Sequence, residues 1–304
     1  MITKIKYDFP KNFRNDKQAI IFLSNLWYSS KNRRNTTIIL DFSSTRSFDT
    51  NLCSPLGMIL EYLKEKQNLI YFSKLQESIL KKLTNNNFLT KIQVDENRSC
   101  IQTHISYKSF KINEKEKFER YIWDELIIYL RNNGINNDCK DFVKAIMEMF
   151  VNIKMHTNSR NTKTCGYYLP ENNEIYFTLC NLGVTIKKNI ELANSYIFDQ
   201  DHEAIDWAVK KNKSTRSADE SGGLGFYTTR NFVKKYDGII NVISGRGYWE
   251  ECNGQIISEE MKSAFPGTII TFRINLNNFV KEKTFINKDT IGLEELIGGG
   301  LWNA

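Results

Sequence analysis

The sequence predicts an α/β protein of two modules, and three observations carry that expectation. The first third alternates apolar strand-like runs with amphipathic helical segments. The middle holds two helices followed by a strand–turn–strand signal. The last third places a glycine-rich helix entrance before two further strands. Alternation of strand and helix implies parallel neighbours joined by right-handed crossovers. A strand–turn–strand unit implies an antiparallel pair.

The elements follow in order. Residues 36–43, TTIILDFS, form an apolar run with polar flanks, the mark of a buried strand. Residues 53–66 carry Leu56, Ile59, Leu60 and Leu63 at helical spacing. NLIYFS at 68–73 reads as a second buried strand, and 74–83 as a helix on Leu75, Ile79, Leu80 and Leu83. Between 94 and 117 the pattern weakens, with ISYKSF as a strand-like interruption, and the module boundary is placed there, at about 100. A helix is expected over 116–131, stopped by Asn133-Gly134, and a second from Asp138, a good N-cap, to His156. KTCGYYL and EIYFTLC flank the turn Pro170-Glu171-Asn172-Asn173, a hairpin signal. A polar stretch over 187–221 leads to GGLG and a helix ending at Tyr236. Asp237-Gly238 then turns into the strand GIINVIS, and GTIITFRINL is the last strand. Residues 279–304 are expected to be a peripheral tail.

Composition narrows the function classes. An apolar fraction of 41% with 25% charged residues is that of a globular chain able to bury a core in each module. No run approaches the length of a membrane helix, and the N-terminus has no signal-peptide core, so a cytoplasmic protein without membrane contact is expected. The formal charge of +7 is scattered among many Asn residues without a dense basic run, which disfavours nucleic acid as a partner. The six cysteines form no CxxC pair and no metal spacing with the three histidines, so they are expected to be buried reduced thiols.

Four local patterns bear on chemistry. In EMFVNIKMH, Glu148, Asn152 and His156 stand at i, i+4 and i+8 on one helix face, opposite the apolar Ala145, Ile146, Met149 and Ile153. A carboxamide oxygen is a hard ligand for Mg²⁺, and a neighbouring carboxylate can orient and deprotonate a water. Taken alone, the triplet reads as a polar surface face. FTLCNLGVTI ends a strand in Asn181-x-Gly183, with a polar side chain at the sheet edge and a glycine that permits close approach; any Asn-x-Gly turn looks the same. Gly222, Gly223, Leu224 and Gly225 open a helix, where free N–H groups and the helix dipole favour phosphate, although the Lys-Ser/Thr of a P-loop is absent. PGTIITFRI brings Gly267-Thr268 into a strand, which by itself means only a turn.

Order and spacing change the reading. A helix with ExxxNxxxH, a hairpin, a strand ending in NxG, a polar lid, a GGLG-helix and a GT-strand resemble the GHKL ATPases (gyrase B, heat-shock chaperone, sensor histidine kinase, MutL) over residues 115–276. The resemblance implies a two-layer α/β sandwich with helices on one face of a mixed sheet, binding ATP with Mg²⁺. It implies Glu148 as catalytic base and Asn152 as magnesium ligand, with His156 bordering the phosphates. Gly183 would lie under the base, Gly222, Gly223, Leu224 and Gly225 in the phosphate-covering lid, and Thr268 near the adenine. The family usually has Asp where this chain has Asn181. Asn accepts through its oxygen but also donates from its amide, so a purine with a keto group becomes admissible, with ATP still the expected ligand. Thr185 replaces the second glycine of the family's DxGxG pattern.

Residues 15–95 resemble a STAS domain, the small α/β module of anti-sigma-factor antagonists, through ILDFSSTRSFDTNLCSPLGMIL and NLIYFSKLQESILKKLTNNNFL. In that family a hydroxyl after an Asp at a helix entrance can be phosphorylated; the matching dipeptide is Asp49-Thr50, where an ordinary turn residue is the preferred reading. The only histidine before the ATPase-like region, His104, lies in a strand-like segment, unlike the phospho-acceptor of a sensor kinase. The stretch after Leu276 is too short for the transducer domain of gyrase and MutL types. The expectation is a regulatory ATPase switch acting on a protein partner, with homodimerisation open. A serine/threonine kinase of the anti-sigma type and a basic nucleic-acid-associated regulator are the alternatives.

Overall fold

The computed structural model describes residues 3–92, 104–132, 139–156, 159–193, 196–210 and 225–278. In the first module Ile38 and Leu40 point to one side of β3 (Thr37–Asp41), which lies between β1 (Lys4–Asp8) and β5 (Leu69–Ser73) in a parallel sheet. A second, two-residue parallel pair joins β2 (Asn12–Phe13) to β4 (Ser47–Phe48). The helices are α1 (Lys17–Ser30), α2 (Cys53–Glu65), α3 (Glu77–Asn85) and α4 (Phe88–Ile92). Asp16 caps α1 by accepting from the Ala19 amide at 2.9 Å. The helix expected from Lys74 starts later because Lys74 itself has φ 57°, a left-handed conformation that cannot begin a right-handed helix.

The second module begins with β6 (His104–Lys111). A helical segment follows as α5 (Lys115–Tyr121), a π-helical stretch at Ile122–Ile127, and α6 (Ile128–Asn132). Then come α7 (Cys139–His156), β7 (Asn161–Leu169), β8 (Glu174–Leu182), α8 (Ile186–Leu192), α9 (Asp201–Ala208), α10 (Gly225–Lys235), β9 (Ile239–Cys252) and β10 (Gln255–Asn275). The sheet order is β6-β7-β8-β10-β9, and every ladder is antiparallel. The expected mixed sheet is thus corrected, since parallel ladders occur only in the first module. Two of the four ladders are closed by tight hairpins, which can only pair strands antiparallel.

The last two strands are far longer than their apolar runs. They form a hairpin around Asn253-Gly254, at φ 50° and 79°, the signature of a type I′ turn. This Asn-Gly turn is absent from the sequence-based expectations. The acidic residues around it, Glu250, Glu251, Glu259 and Glu260, break the apolar pattern and conceal the strands.

Both faces of the antiparallel sheet are buried. Ile175, Phe177 and Leu179 of β8 join a core with Phe118, Phe142, Ile146, Met149, Phe150 and Phe232 from the helices of the second module. Ala145, Ile146, Met149 and Ile153, the expected apolar stripe of α7, are all buried. The opposite face contributes Cys165, Cys180, Ile243 and Ile269 to the core of the first module, beside Leu52, Cys53, Leu56 and Leu60. The result is three layers with the sheet in the middle.

Polar contacts fix this docking. The Asn51 amide donates to the Thr178 hydroxyl at 3.0 Å, which in turn meets Thr271 at 2.8 Å. The Cys165 thiol approaches the carbonyls of Thr50 and Asn51 at 3.1 and 3.2 Å. Glu61 of α2 accepts from the Tyr107 hydroxyl at 2.8 Å and pairs with the buried Lys163 ammonium. Thr50 is only 2% exposed, in a 3₁₀ turn at Thr50–Leu52 pressed against β7, with its hydroxyl 3.5 Å from His104 Nδ1. The five described cysteines are free, and four of them are buried. Among the described residues no helix is long and apolar enough to cross a membrane.

Gly57 is the tightest point of the docking: a β-carbon there would stand 2.2 Å from the Tyr107 hydroxyl oxygen. Gly57→Ala is therefore expected to lower stability by about 1–3 kcal/mol through overpacking, read as a urea midpoint. An unchanged midpoint would contradict the docked arrangement.

Candidate functional site

The site is built from a helix pair and the end of the sheet. α7 and α10 run antiparallel. Phe142 stacks on Phe232 with ring centroids 5.1 Å apart and 7° between planes, and the Thr229 hydroxyl reaches the Ala145 carbonyl at 3.1 Å. One further step along the pair brings Glu148 and Asn152 to Gly225, the first residue of α10. A β-carbon at Gly225 would stand 2.9 Å from Asn152 Nδ2 and 3.1 Å from Glu148 Oε2. The two polar termini thus converge on one point, the first described residue of α10.

The second component lies on the sheet. Side chains alternate along a strand, so Asn181 projects from β8 to the same face as Ile175, Phe177 and Leu179, the face that α7 covers. Asn181 pairs in register with Thr268 of β10, and Thr268 with Ser244 of β9, so the three form a row across adjacent strands. The Ser244 hydroxyl lies 3.0 Å from that of Thr268 and 3.2 Å from the Gly267 carbonyl, and it accepts from the Ile186 amide at 2.9 Å.

Helix and row lie at the same end of the sheet. α10 turns into β9 at Gly238, whose N–H bonds the Val233 carbonyl at 2.9 Å, and runs back antiparallel to that strand. Eleven helical residues span about 16 Å. The five steps from Ile239 to Ser244 span about 17 Å. Gly225, with Glu148 and Asn152, therefore lies toward the end of the sheet that carries Ser244, Thr268 and Asn181.

Asn181 is the anomaly of this site. It is 0% exposed, yet neither its oxygen nor its amide nitrogen has a hydrogen-bond partner among the described residues. Buried side-chain polar groups are nearly always satisfied, and an orphaned donor or acceptor costs about 1–3 kcal/mol. A carboxamide left wholly unpaired at the end of a strand points to a polar group that arrives from outside.

The two neighbouring glycines have separable roles. Gly183 has φ 144° and donates to the Pro266 carbonyl at 3.1 Å, so it lets the chain leave the strand beside Asn181. A β-carbon at Gly267 would lie 2.0 Å from the Asn181 carbonyl oxygen, so that glycine is required by strand contact. Thr185 caps α8 by accepting from the Lys188 amide at 3.3 Å.

Of the residues singled out by sequence, the structure thus brings Glu148, Asn152 and Gly225 together, and Asn181, Gly183 and Thr268 together. Gly222, Gly223 and Leu224 lie outside the described residues. His156 is the last residue of α7, and its side chain lies outside them too. Sequence reasoning missed Ser244, whose only signal was a hydroxyl before Gly245; register alone places it beside Thr268. Among the described residues no group of three or more His, Cys, Asp or Glu could hold a metal.

Asn181→Leu is expected to stabilise the ligand-free protein by about 1–3 kcal/mol, because it replaces two orphaned polar atoms with an apolar group of similar size. A lower melting temperature would mean that the amide is satisfied internally and that Asn181 does not await a ligand. Comparison with protein-family models and with curated proteins finds no match for the chain.

Proposed function

We propose that the chain binds ATP with magnesium in the manner of the GHKL ATPases it resembles, hydrolyses it, and acts as a regulatory switch on a protein partner. The observation that carries this reading is the fully buried, unpartnered Asn181 carboxamide, at the end of the sheet toward which Glu148, Asn152 and the start of α10 lie. A base held by Asn181 would have its phosphates directed toward a helix N-terminus, where dipole and free N–H groups favour negative charge. Glu148 would orient and deprotonate the attacking water. Magnesium would be held by the Asn152 carboxamide oxygen and would neutralise charge on the phosphate oxygens.

Two further observations support the switch and argue against a nucleic-acid role. α9, which precedes the glycine-rich segment, is bound to the β9–β10 hairpin: Asp206 accepts from Trp249 Nε1 and the Ser258 hydroxyl, each at 2.8 Å, and Asp201 accepts from the Arg246 amide at 2.8 Å. Burial raises the Asp201 pKa above the ordinary carboxylate value, so this contact is made at some electrostatic cost. The other face of the same hairpin touches α1 through Ser263 and Asn25 at 2.9 Å and through the Lys17–Glu259 pair. A change at the lid thus has a continuous path to the first module. Several cations are engaged by carboxylates, including Lys108 with Glu125, Lys163 with Glu61 and Arg230 with Glu251, so these three are not free to meet a phosphate backbone.

Glu148→Ala is expected to abolish phosphate release from γ-labelled ATP while leaving nucleotide affinity within about tenfold, or 1.4 kcal/mol. Loss of affinity itself would make Glu148 structural. Label retained on the protein instead of released would assign the kinase chemistry, in which Glu148 activates a hydroxyl. For Asn152→Ala, ATP affinity should become insensitive to EDTA; a persisting dependence on magnesium would remove Asn152 as the ligand.

A further inference from the structure

The chemistry of the base contact can be taken further, on the reading that this site holds a nucleotide. A carboxamide distinguishes an amino from a keto group only if something fixes which of its two ends faces the ligand. A second hydrogen bond to the protein usually does so, because it commits the oxygen or the nitrogen. Asn181 has no such bond among the described residues: both Oδ1 and Nδ2 are buried and unpartnered. Turning the amide over about its terminal torsion therefore breaks no contact with the protein, and that torsion is intrinsically broad.

The neighbouring hydroxyls are reversible as well. Ser244 can donate to the Gly267 carbonyl at 3.2 Å while Thr268 donates to Ser244, which leaves Thr268 an acceptor toward the ligand. Alternatively Ser244 donates to Thr268 at 3.0 Å, and Thr268 turns its own proton outward. In both arrangements Ser244 still accepts from the Ile186 amide. The row Asn181–Thr268–Ser244 thus offers either polarity to an incoming group.

From this we propose that the pocket is a purine site that requires a polar 6-substituent but does not discriminate its polarity, so that 6-oxo purine nucleoside triphosphates occupy it alongside ATP. With a 6-amino purine, Oδ1 accepts from the amino group and Nδ2 donates to the ring nitrogen beside it. With a 6-oxo purine the amide is inverted: Nδ2 donates to the keto oxygen and Oδ1 accepts from the ring N–H. Both pairings satisfy every polar atom of the side chain. A carboxylate at this position has only acceptors and could match neither edge completely.

The test uses the full chain with Mg²⁺ and three probes: ATP, ITP, and purine riboside triphosphate, which lacks any 6-substituent. Dissociation constants for ATP and ITP should agree within about tenfold. The unsubstituted purine should bind about ten- to a hundredfold more weakly than either, because it leaves one end of a buried amide unpaired. In Asn181→Leu, whose folding the replacement of orphaned atoms favours, the three affinities should converge to within about threefold. ATP binding with ITP weaker by a hundredfold or more would overturn this inference and leave the ATP site intact. Persisting differences among the three probes in the leucine variant would also overturn it, by placing base recognition elsewhere. If no probe binds the wild-type chain, the nucleotide-binding reading itself fails, and this inference with it.

Discussion

Burial of both faces of one antiparallel sheet is the constraint on which the rest of the molecule depends. Side chains alternate along each strand, so a sheet packed on both sides must offer two different surfaces from one sequence. β8 does this directly. Ile175, Phe177 and Leu179 face the helices of the second module, while Thr178 and Cys180 face the first. The first module therefore supplies part of the sheet's own core. Its α2 carries Gly57 so that the Tyr107 ring can lie against the helix, and its Glu61 satisfies both Tyr107 and the buried Lys163.

The same alternation sets the polar end of the sheet. Once Leu179 points toward α7, Asn181 must as well, and register adds Thr268 and Ser244 as neighbours. The antiparallel pairing of α7 with α10 brings Glu148 and Asn152 toward the same end, so the polar groups collect where the strands end and the helix begins. Within a molecule whose buried polar groups are mostly paired, the unpaired Asn181 amide is a local destabilisation at the point where a ligand would relieve it. Functional sites commonly retain such unfavourable features because stability elsewhere tolerates them.

The β9–β10 hairpin joins these two consequences. Trp249 turns to the helical face, where it meets Asp206 of α9, and Tyr248 turns to the face of the first module. Gly245 and Gly247 lie so close to α9 that a β-carbon at either would come within 2.5 and 2.7 Å of Asp201 and Ile205 side-chain atoms. One two-stranded ribbon therefore contacts both α9 and the first helix of the chain. Movement of either would be felt by the other through packed side chains.

Local pattern was enough to place β3, α2, β5, α7, the β7–β8 hairpin and the helix before Gly238. In each, apolar period, cap and turn residues agree, and those forces act within a few residues of the chain. The ExxxNxxxH spacing likewise placed Glu148 and Asn152 on one face, because helical geometry alone decides it. Sequence could not decide that the larger sheet is antiparallel throughout, that acidic strands extend past the apolar runs to Asn253-Gly254, or that Ser244 sits beside Thr268. Those depend on which strands pair, and pairing is decided by contacts between residues far apart in the chain. Nor could it show that Asn181 is buried without a partner among the described residues: a residue's type states how many hydrogen bonds it can make, and only the folded chain determines which of them are left open.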